Sequence, residues 1–339
     1  NNNFSRYYAN GPHLHQYLQE MNEEVFSKYD CMSVGECVGV DVNEALQFVD
    51  AEKRSLNMFF HFDSVNYGYK ENEFKQPDPD GWDLIGFKEI FTRWNDVFAQ
   101  KGWGSIYLGN HDQPRMVSRW GNDSAEYRYA SSKMLLTFLL TMRSTPYIYM
   151  GDEIGMANIR FNAIEDYRDI ETLTMYQQLK NNGGDVNYFI EGQKATARDN
   201  ARTPFQWNEK AQAGFASGKP WIKVNPDAAF VNVAMQETDE DSVLIYFRKM
   251  VKLRRQLPEV VYGNYELIDK KNDNVYAYTR TLSDKKILII LNFSKTNTTF
   301  TIPNNIGVPG EILINNLRGI TMQESVIKLQ PYQAVVMRL

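Results

Sequence analysis

The chain has 339 residues, 43% hydrophobic and 23% charged, a balance that allows two domains, or one large domain with an appendage, around a sizeable core. A formal net charge of −5 without a basic stripe argues against a nucleic-acid partner. No apolar run approaches the ~20 residues that span a bilayer, which argues against a membrane partner.

The opening Asn1-Asn-Asn-Phe-Ser has neither an initiator Met nor a signal pattern, so the native start and any targeting segment are expected upstream. After it, Gly11-Pro12 introduces a predicted helix to about Lys28 with Leu14, Tyr17, Leu18, Met21 and Val25 at helical spacing, Pro12 suiting its first turn. A strand, Cys31 to Glu36, follows. The only two cysteines, Cys31 and Cys37, lie on this strand and its turn. At about 3.3 Å per residue their Cα atoms exceed the ~7 Å limit for a disulfide. Unpaired thiols suit a reducing compartment and point to the cytoplasm.

A short helix near Glu44 to Phe48 and a strand from Leu56 to Phe62, closing on Asp63, come next. Residues 64–82 read as loop, and Asp83 caps a helix with the face Leu84, Phe87, Phe91, Trp94 and Phe98. The stretch Tyr107-Leu-Gly-Asn-His-Asp-Gln-Pro-Arg115 then turns from apolar to polar within four residues. That is the signature of a buried strand delivering side chains to a pocket rim. A helix from about Ala125 to Met142, apolar on nearly every side late in its course, leads to a strand at Pro146–Met150 that ends in Asp152 and Glu153. Four strands alternating with helices give the rhythm of a parallel sheet or barrel, whose active site is built at the C-terminal strand ends.

From Asn158 to Glu240 the rhythm lapses into an insertion holding a helix at Glu171 to Leu179 and the segment Thr196-Ala-Arg-Asp-Asn-Ala-Arg-Thr-Pro-Phe-Gln-Trp207. A helix, Ser242 to Gln256, closes this part. Beyond Gly263 period-two runs at 275–280, 286–292, 298–302, 311–314 and 334–337 predict a small antiparallel β-sandwich. The boundaries follow: 1–262 for the α/β part, with its insertion at about 158–240, and 263–339 for the all-β domain.

On residues alone, Glu36 is either an acid catalyst whose pKa is raised by burial against aromatics or a strand-end glutamate in a surface salt bridge. Asn110, His111 and Asp112 either close a turn or bind a sugar, whose hydroxyls donate and accept. Only four histidines, with no second ligand at suitable spacing, speak against a metal site. Asp199 and Arg202 fit an ion-pair brace as well as a substrate contact, and Arg115 and Glu153 fit bracing of the rim.

Six blocks stand in an order that resembles glycoside hydrolase family 13, in its oligo-1,6-glucosidase and α-glucosidase subgroup. They are Ser33-Val-Gly-Glu36, Leu56-Asn-Met-Phe-Phe-His-Phe62, Gly109-Asn-His-Asp-Gln-Pro-Arg115, Gly151-Asp-Glu-Ile-Gly155, Tyr167-Arg-Asp-Ile-Glu171 and Ala197-Arg-Asp-Asn-Ala-Arg-Thr-Pro204. The resemblance runs from about Tyr7 to the C-terminus. It implies the C-terminal half of a (β/α)8 barrel with an all-β antiparallel sandwich domain behind it, and retaining hydrolysis of short α-1,6- or α-1,4-linked gluco-oligosaccharides. Glu36 would be the general acid/base and Asp112 the second catalytic carboxylate. His111 would bind the sugar, Arg198 and Glu171 would shape the pocket floor and aglycone side, and Phe62 would offer a wall for a sugar face.

The family's nucleophilic Asp closes the fourth strand, in a block this sequence lacks. Retaining chemistry needs both carboxyl groups, ~5–5.5 Å apart, and four strands cannot close a barrel of eight. The expectation is a fragment, inactive alone, whose missing partner is the N-terminal half of the same polypeptide. No cofactor is expected in this part, and a family Ca²⁺ site would lie in the missing one. Two alternatives share the scaffold: a sucrose isomerase or trehalose synthase, and an inactive carbohydrate-binding relative. The family's sucrose isomerases carry an Arg-rich segment where this chain has Asp63-Ser-Val-Asn-Tyr-Gly-Tyr69, which favours hydrolysis.

Overall fold

The structure is a computed structural model that describes residues 10–53 and 55–339. Of the polar opening, only Asn10 lies within the described residues. Helices and short strands alternate through the first half: α1 (Leu14–Glu24), β1 (Val34–Glu36), α2 (Ala45–Val49), β2 (Met58–Phe60), α3 (Leu84–Lys101), β3 (Ser105–Ile106), α4 (Met116–Trp120), α5 (Arg128–Thr141) and β4 (Thr145–Pro146). β1 pairs with β2 and β3 with β4, both parallel, in the registers Glu36↔Phe60 and Ile106↔Pro146.

These ladders are shorter than the apolar runs predict, because the seam between the two pairs is made by side chains. The Ser105 hydroxyl donates to Phe59 O at 2.7 Å and the Tyr107 phenol to His61 O at 2.7 Å. Where no backbone ladder continues, the runs bend into loops soon after the paired residues. Gly35 answers a close approach: a Cβ there would stand 2.6 Å from Leu56 Cδ1. The four strands form an open arc, and among the described residues nothing pairs with the free edge of β1 or β4.

α3 buries its predicted face, and its N-cap Asp83 accepts from the Gly86 amide at 2.8 Å. α5 is buried along nearly its whole length, held between α9 (Val243–Gln256) and the C-terminal sheet. α1 departs from expectation. None of its residues is buried, and Tyr17 is 64% exposed. Leu14 and Leu18 pack on the core, Tyr17 and Met21 border a groove of about 960 Å³ against β1, and Val25 is exposed. Pro12 stands ahead of the cap residue His13 rather than in the first turn.

The insertion carries the predicted helix, α6 (Ile170–Asn181), and two more, α7 (Val186–Thr196) and α8 (Val233–Gln236). After α9 and α10 (Pro258–Tyr262), β5 (Asn264–Ile268), β6 (Val275–Leu282), β7 (Lys285–Asn292), β8 (Thr298–Thr301), β9 (Ile312–Asn315), β10 (Thr321–Gln323), β11 (Val326–Leu329) and β12 (Ala334–Arg338) form two antiparallel sheets. The orders are β5-β6-β7-β12-β9 and β10-β11-β8. The five-stranded sheet is covered on both faces. Val275, Ala277, Leu288, Ile290 and Val335 meet Phe300, Ile327 and Leu329 of the smaller sheet, and Tyr276, Tyr278, Ile289 and Val336 meet Phe87, Phe138 and Leu135 of α3 and α5. Burial on both sides explains why β6 and β7 are apolar at nearly every position of their central stretch rather than alternating.

A buried cation crosses this junction. Lys88 of α3 donates to three carbonyls of the β5–β6 turn: Asn272 at 2.6 Å, Asp269 at 3.1 Å and Val275 at 3.4 Å. Lys88→Met keeps most of the volume but strips those carbonyls of their donor, a loss on the order of 1–3 kcal/mol. A lowered denaturant midpoint with an unchanged slope is the expected reading.

Candidate active site

The strand ends of the arc surround a cavity of about 300 Å³. β1 contributes Glu36 and β2 contributes Phe60. The turn after β3 contributes Tyr107, Asn110 and His111, and the segment after β4 contributes Tyr147 and Tyr149. Phe60 is the aromatic wall, edge-on to Tyr107 at 5.2 Å and to Tyr147 at 4.6 Å. Phe62, expected in that place, is half-buried and does not line the cavity. The β2 ladder stops at Phe60, so the two-residue alternation that would align Phe62 with it is lost.

Glu36 lines both this cavity and the groove beside α1, and its side chain is exposed. Among the described residues β1 has a neighbour on one side only, so the burial weighed for Glu36 is absent. Neither Asp112 nor the acidic end after β4 is among the residues that line the cavity. Asp152 is buried and accepts from the Tyr149 amide at 3.1 Å. Burial pushes its carboxyl up to about 7 against the pull of Arg115. Glu153 accepts from the Gly151 amide at 2.7 Å. Arg115 is fully enclosed and donates to Met150 O at 2.6 Å, Asn200 O at 3.2 Å and Thr203 Oγ1 at 3.1 Å. It braces the rim beneath Gly151, whose φ of +101° suits glycine and where a Cβ would meet the guanidinium at 2.7 Å.

The Asn110–Asp112 turn is self-supported, since Asn110 Oδ1 accepts from the Asp112 amide at 2.8 Å. Asp112 itself is about one-third exposed, with Oδ2 3.4 Å from His111 Nε2. Its Oδ1 faces Arg202 Nη2 at 2.8 Å and Arg198 Nη1 at 3.1 Å. Partial burial opposes its charge, but His111, Arg198 and Arg202 prevail and hold the carboxyl below the usual carboxylate value. Arg198 in turn reaches Asp169 through Nε at 2.7 Å and Glu171 through Nη2 at 2.8 Å.

Asp169, which sequence reasoning passed over, anchors this network. It is buried, caps α6 through the Thr172 amide at 3.1 Å, and binds the Thr172 hydroxyl at 2.8 Å. Asp199 Oδ2 accepts the backbone amides of Arg168 at 2.6 Å and Asp169 at 2.8 Å, the bracing role weighed for it. The legible signal for Asp169 was its place as an N-capping aspartate directly before α6. Among the described residues, no group of three or more His, Cys, Asp or Glu side chains is arranged to hold a metal ion, and no helix is long and apolar enough to cross a membrane.

Residues 1–263 match the family model described as alpha amylase, catalytic domain, and residues 275–336 match the alpha-amylase SusG C-terminal domain. The chain is 45% identical over 338 residues to an oligo-1,6-glucosidase of Parageobacillus thermoglucosidasius, and 43% identical over 336 residues to one of Bacillus cereus. These alignments take in 99% and 98% of this chain and 60% of each relative. It is also similar to the crystal structure of isomaltulose synthase from Klebsiella sp. LX3, with a TM-score of 0.93 and 39% identity over 97% of this chain and 59% of that one. The chain therefore spans about 60% of the length of these relatives.

Behind the cavity, His61 stacks on Trp94 at 4.5 Å, and burial, with Asp63 opposing and Arg93 adding, lowers its pKa to about 4. The unfolded chain takes up this proton near 6.5, so the stability His61 preserves is complete above pH 6.5 and lost as pH falls toward 4. Melting temperature is expected to drop more steeply across that window in the wild type than in His61→Gln, reflecting a stability difference on the order of 3 kcal/mol.

Proposed function

The chain belongs to the α-amylase family of glycoside hydrolases, and from that premise we propose that it forms part of a retaining, exo-acting α-glucosidase for short α-1,6- and α-1,4-linked gluco-oligosaccharides. The observation that carries the reading is one cavity bordered by Glu36, His111 and an aromatic wall, with an ionised Asp112 tied to Arg198 and Arg202 beside it. An aromatic face suits the apolar side of a sugar ring, and carboxylate, imidazole and guanidinium suit its hydroxyls.

In this reading Glu36 protonates the leaving oxygen and then deprotonates the attacking water. Asp112, held ionised, binds sugar hydroxyls and balances the positive charge that develops at the anomeric centre. His111 reads a hydroxyl, and Arg198 with Glu171 shapes the side where the leaving sugar sits. The nucleophilic carboxylate comes from the part of the polypeptide N-terminal to Asn1. That part packs on the free edge of β1 and the exposed stripe of α1, covering Glu36. Two features support this packing: the groove of about 960 Å³ lined by Tyr17, Met21, Val34 and Met32, and the greater length of the relatives. The two free cysteines support a reducing, cytoplasmic setting.

A second reading, rearrangement of sucrose, draws on the likeness to isomaltulose synthase. The segment after β2 opposes it. Residues 63–69 contain no arginine, and Arg119, from beneath, holds Ser64 O at 3.1 Å.

The full-length protein is expected to release glucose from isomaltose and to leave sucrose unisomerised. Glu36→Gln should remove at least ~100-fold in rate. Rearranged disaccharide as the main product would establish the second reading, and an unchanged Glu36→Gln rate would leave a binding role.

A further inference from the structure

Arg198 and Arg202 converge on the same oxygen of Asp112 but make different use of their remaining donors. Arg198 turns away from the turn after β3, spending Nε on Asp169 and Nη2 on Glu171. Arg202 faces that turn squarely. Its Nε donates to His111 O at 2.8 Å and its Nη2 to Asp112 Oδ1 at 2.8 Å. One planar edge thus grips a backbone carbonyl and the neighbouring carboxylate together. Its third nitrogen, Nη1, lies 3.6 Å from Asp199 Oδ1 and 3.8 Å from Asp169 Oδ1. Asp199 is fully enclosed, and that oxygen has no hydrogen-bond partner, so its charge leans on Arg202. With Oδ1 occupied twice, the free oxygen of Asp112 is Oδ2, beside His111 Nε2 at 3.4 Å.

Resting on the glycosidase reading, we propose that Arg202 is a positioning residue of this site: its edge fixes the His111–Asp112 peptide and occupies Asp112 Oδ1, so that Oδ2 and His111 Nε2 are the pair presented to the sugar. Arg198 is thereby left to set Glu171. A lysine supplies charge but not a planar fork, and cannot hold the carbonyl and the carboxylate in one geometry. The charged or titratable groups around Asp112 are His111 from its own turn, Arg198 and Arg202 from the insertion, Tyr149 after β4 and Lys75 of the 64–82 loop.

The test compares Arg202→Lys and Arg202→Gln with wild type in the full-length protein on isomaltose, with thermal unfolding alongside. Arg202→Lys is expected to lose about 100-fold in kcat/KM, the scale of an ångström-size misplacement, with the acid limb of its pH profile unmoved. Arg202→Gln is expected to lose as much and to shift that limb to higher pH, because Asp112 loses a facing cation. Wild-type kcat/KM in Arg202→Lys, or an unmoved limb in Arg202→Gln, overturns the proposal, as does a loss confined to melting temperature. If the wild type turns over no glucoside, the functional reading fails by itself. Crystal structures of wild type and Arg202→Lys then decide: a rotated Asp112 carboxylate upholds the positioning role, and an unmoved one overturns it.

Discussion

Two guanidinium groups meeting on one carboxylate oxygen is an arrangement that like-charge repulsion forbids unless further anions surround it. Here Asp169, Glu171 and Asp199 supply them around Arg198 and Arg202. The anions belong to α6 and the short helical segment Arg198–Asn200, whereas Asp112 belongs to the turn after β3. The cluster therefore fastens the insertion onto the arc of strands at the place where the cavity opens. Ion pairs among groups this unevenly buried contribute little net stability, because solvent screens the exposed partners and desolvation of the buried ones offsets their attraction. What they fix is geometry: removing any one leaves the others unbalanced, so the set holds a single arrangement.

A second constraint works beneath the first. Arg115, Arg280 and Lys88 are enclosed cations whose hydrogen bonds go mainly to backbone carbonyls rather than to carboxylates. Each ties a loop or helix end to a neighbouring layer. Arg115 joins the rim after β4 to the segment at Asn200 and Thr203, and Lys88 joins α3 to the β5–β6 turn. A chain with an open sheet edge keeps its shape through such cross-layer donors together with the shared core of α3, α5 and the five-stranded sheet.

The sequence was legible where one physical signal dominates. The face of α3, the apolar late course of α5, the helix ending at Gln256 and the strands from Val275 onward stand as read, although β6 and β7 are buried on both faces instead of alternating. β5, β10 and β11 escaped notice. β10 is exposed throughout and so has no buried face to impose alternation. In the site, Glu36 and His111 share the cavity as expected, since apolar runs that break into polar residues mark strand ends. Phe60 in place of Phe62, and the inward turn of Asp152, depend on where a ladder stops. That is set by neighbours distant in sequence. Asp169 was hidden for another reason: a capping aspartate carries a complete local explanation, and its bond to Arg198 spans 29 positions.

The exposure of Glu36 and the partial burial of Asp112 among cations follow from the same open arc. β1 is, with β4, an outermost described strand of the arc, and Glu36 at its end faces solvent. The turn after β3 lies between neighbours and is roofed by the insertion, so its carboxylate is surrounded by cations before any ligand arrives. An acid catalyst needs a raised pKa, which comes from a low-dielectric wall, and a charge-balancing carboxylate needs a lowered one, which comes from nearby cations. The cations around Asp112 are in place within this chain, whereas on the proposed reading a wall around Glu36 would come from surface packed against the free edge of β1. On the proposed reading the two carboxylates depend on different parts of the molecule, and surface packed along the groove beside α1 would complete the environment of Glu36.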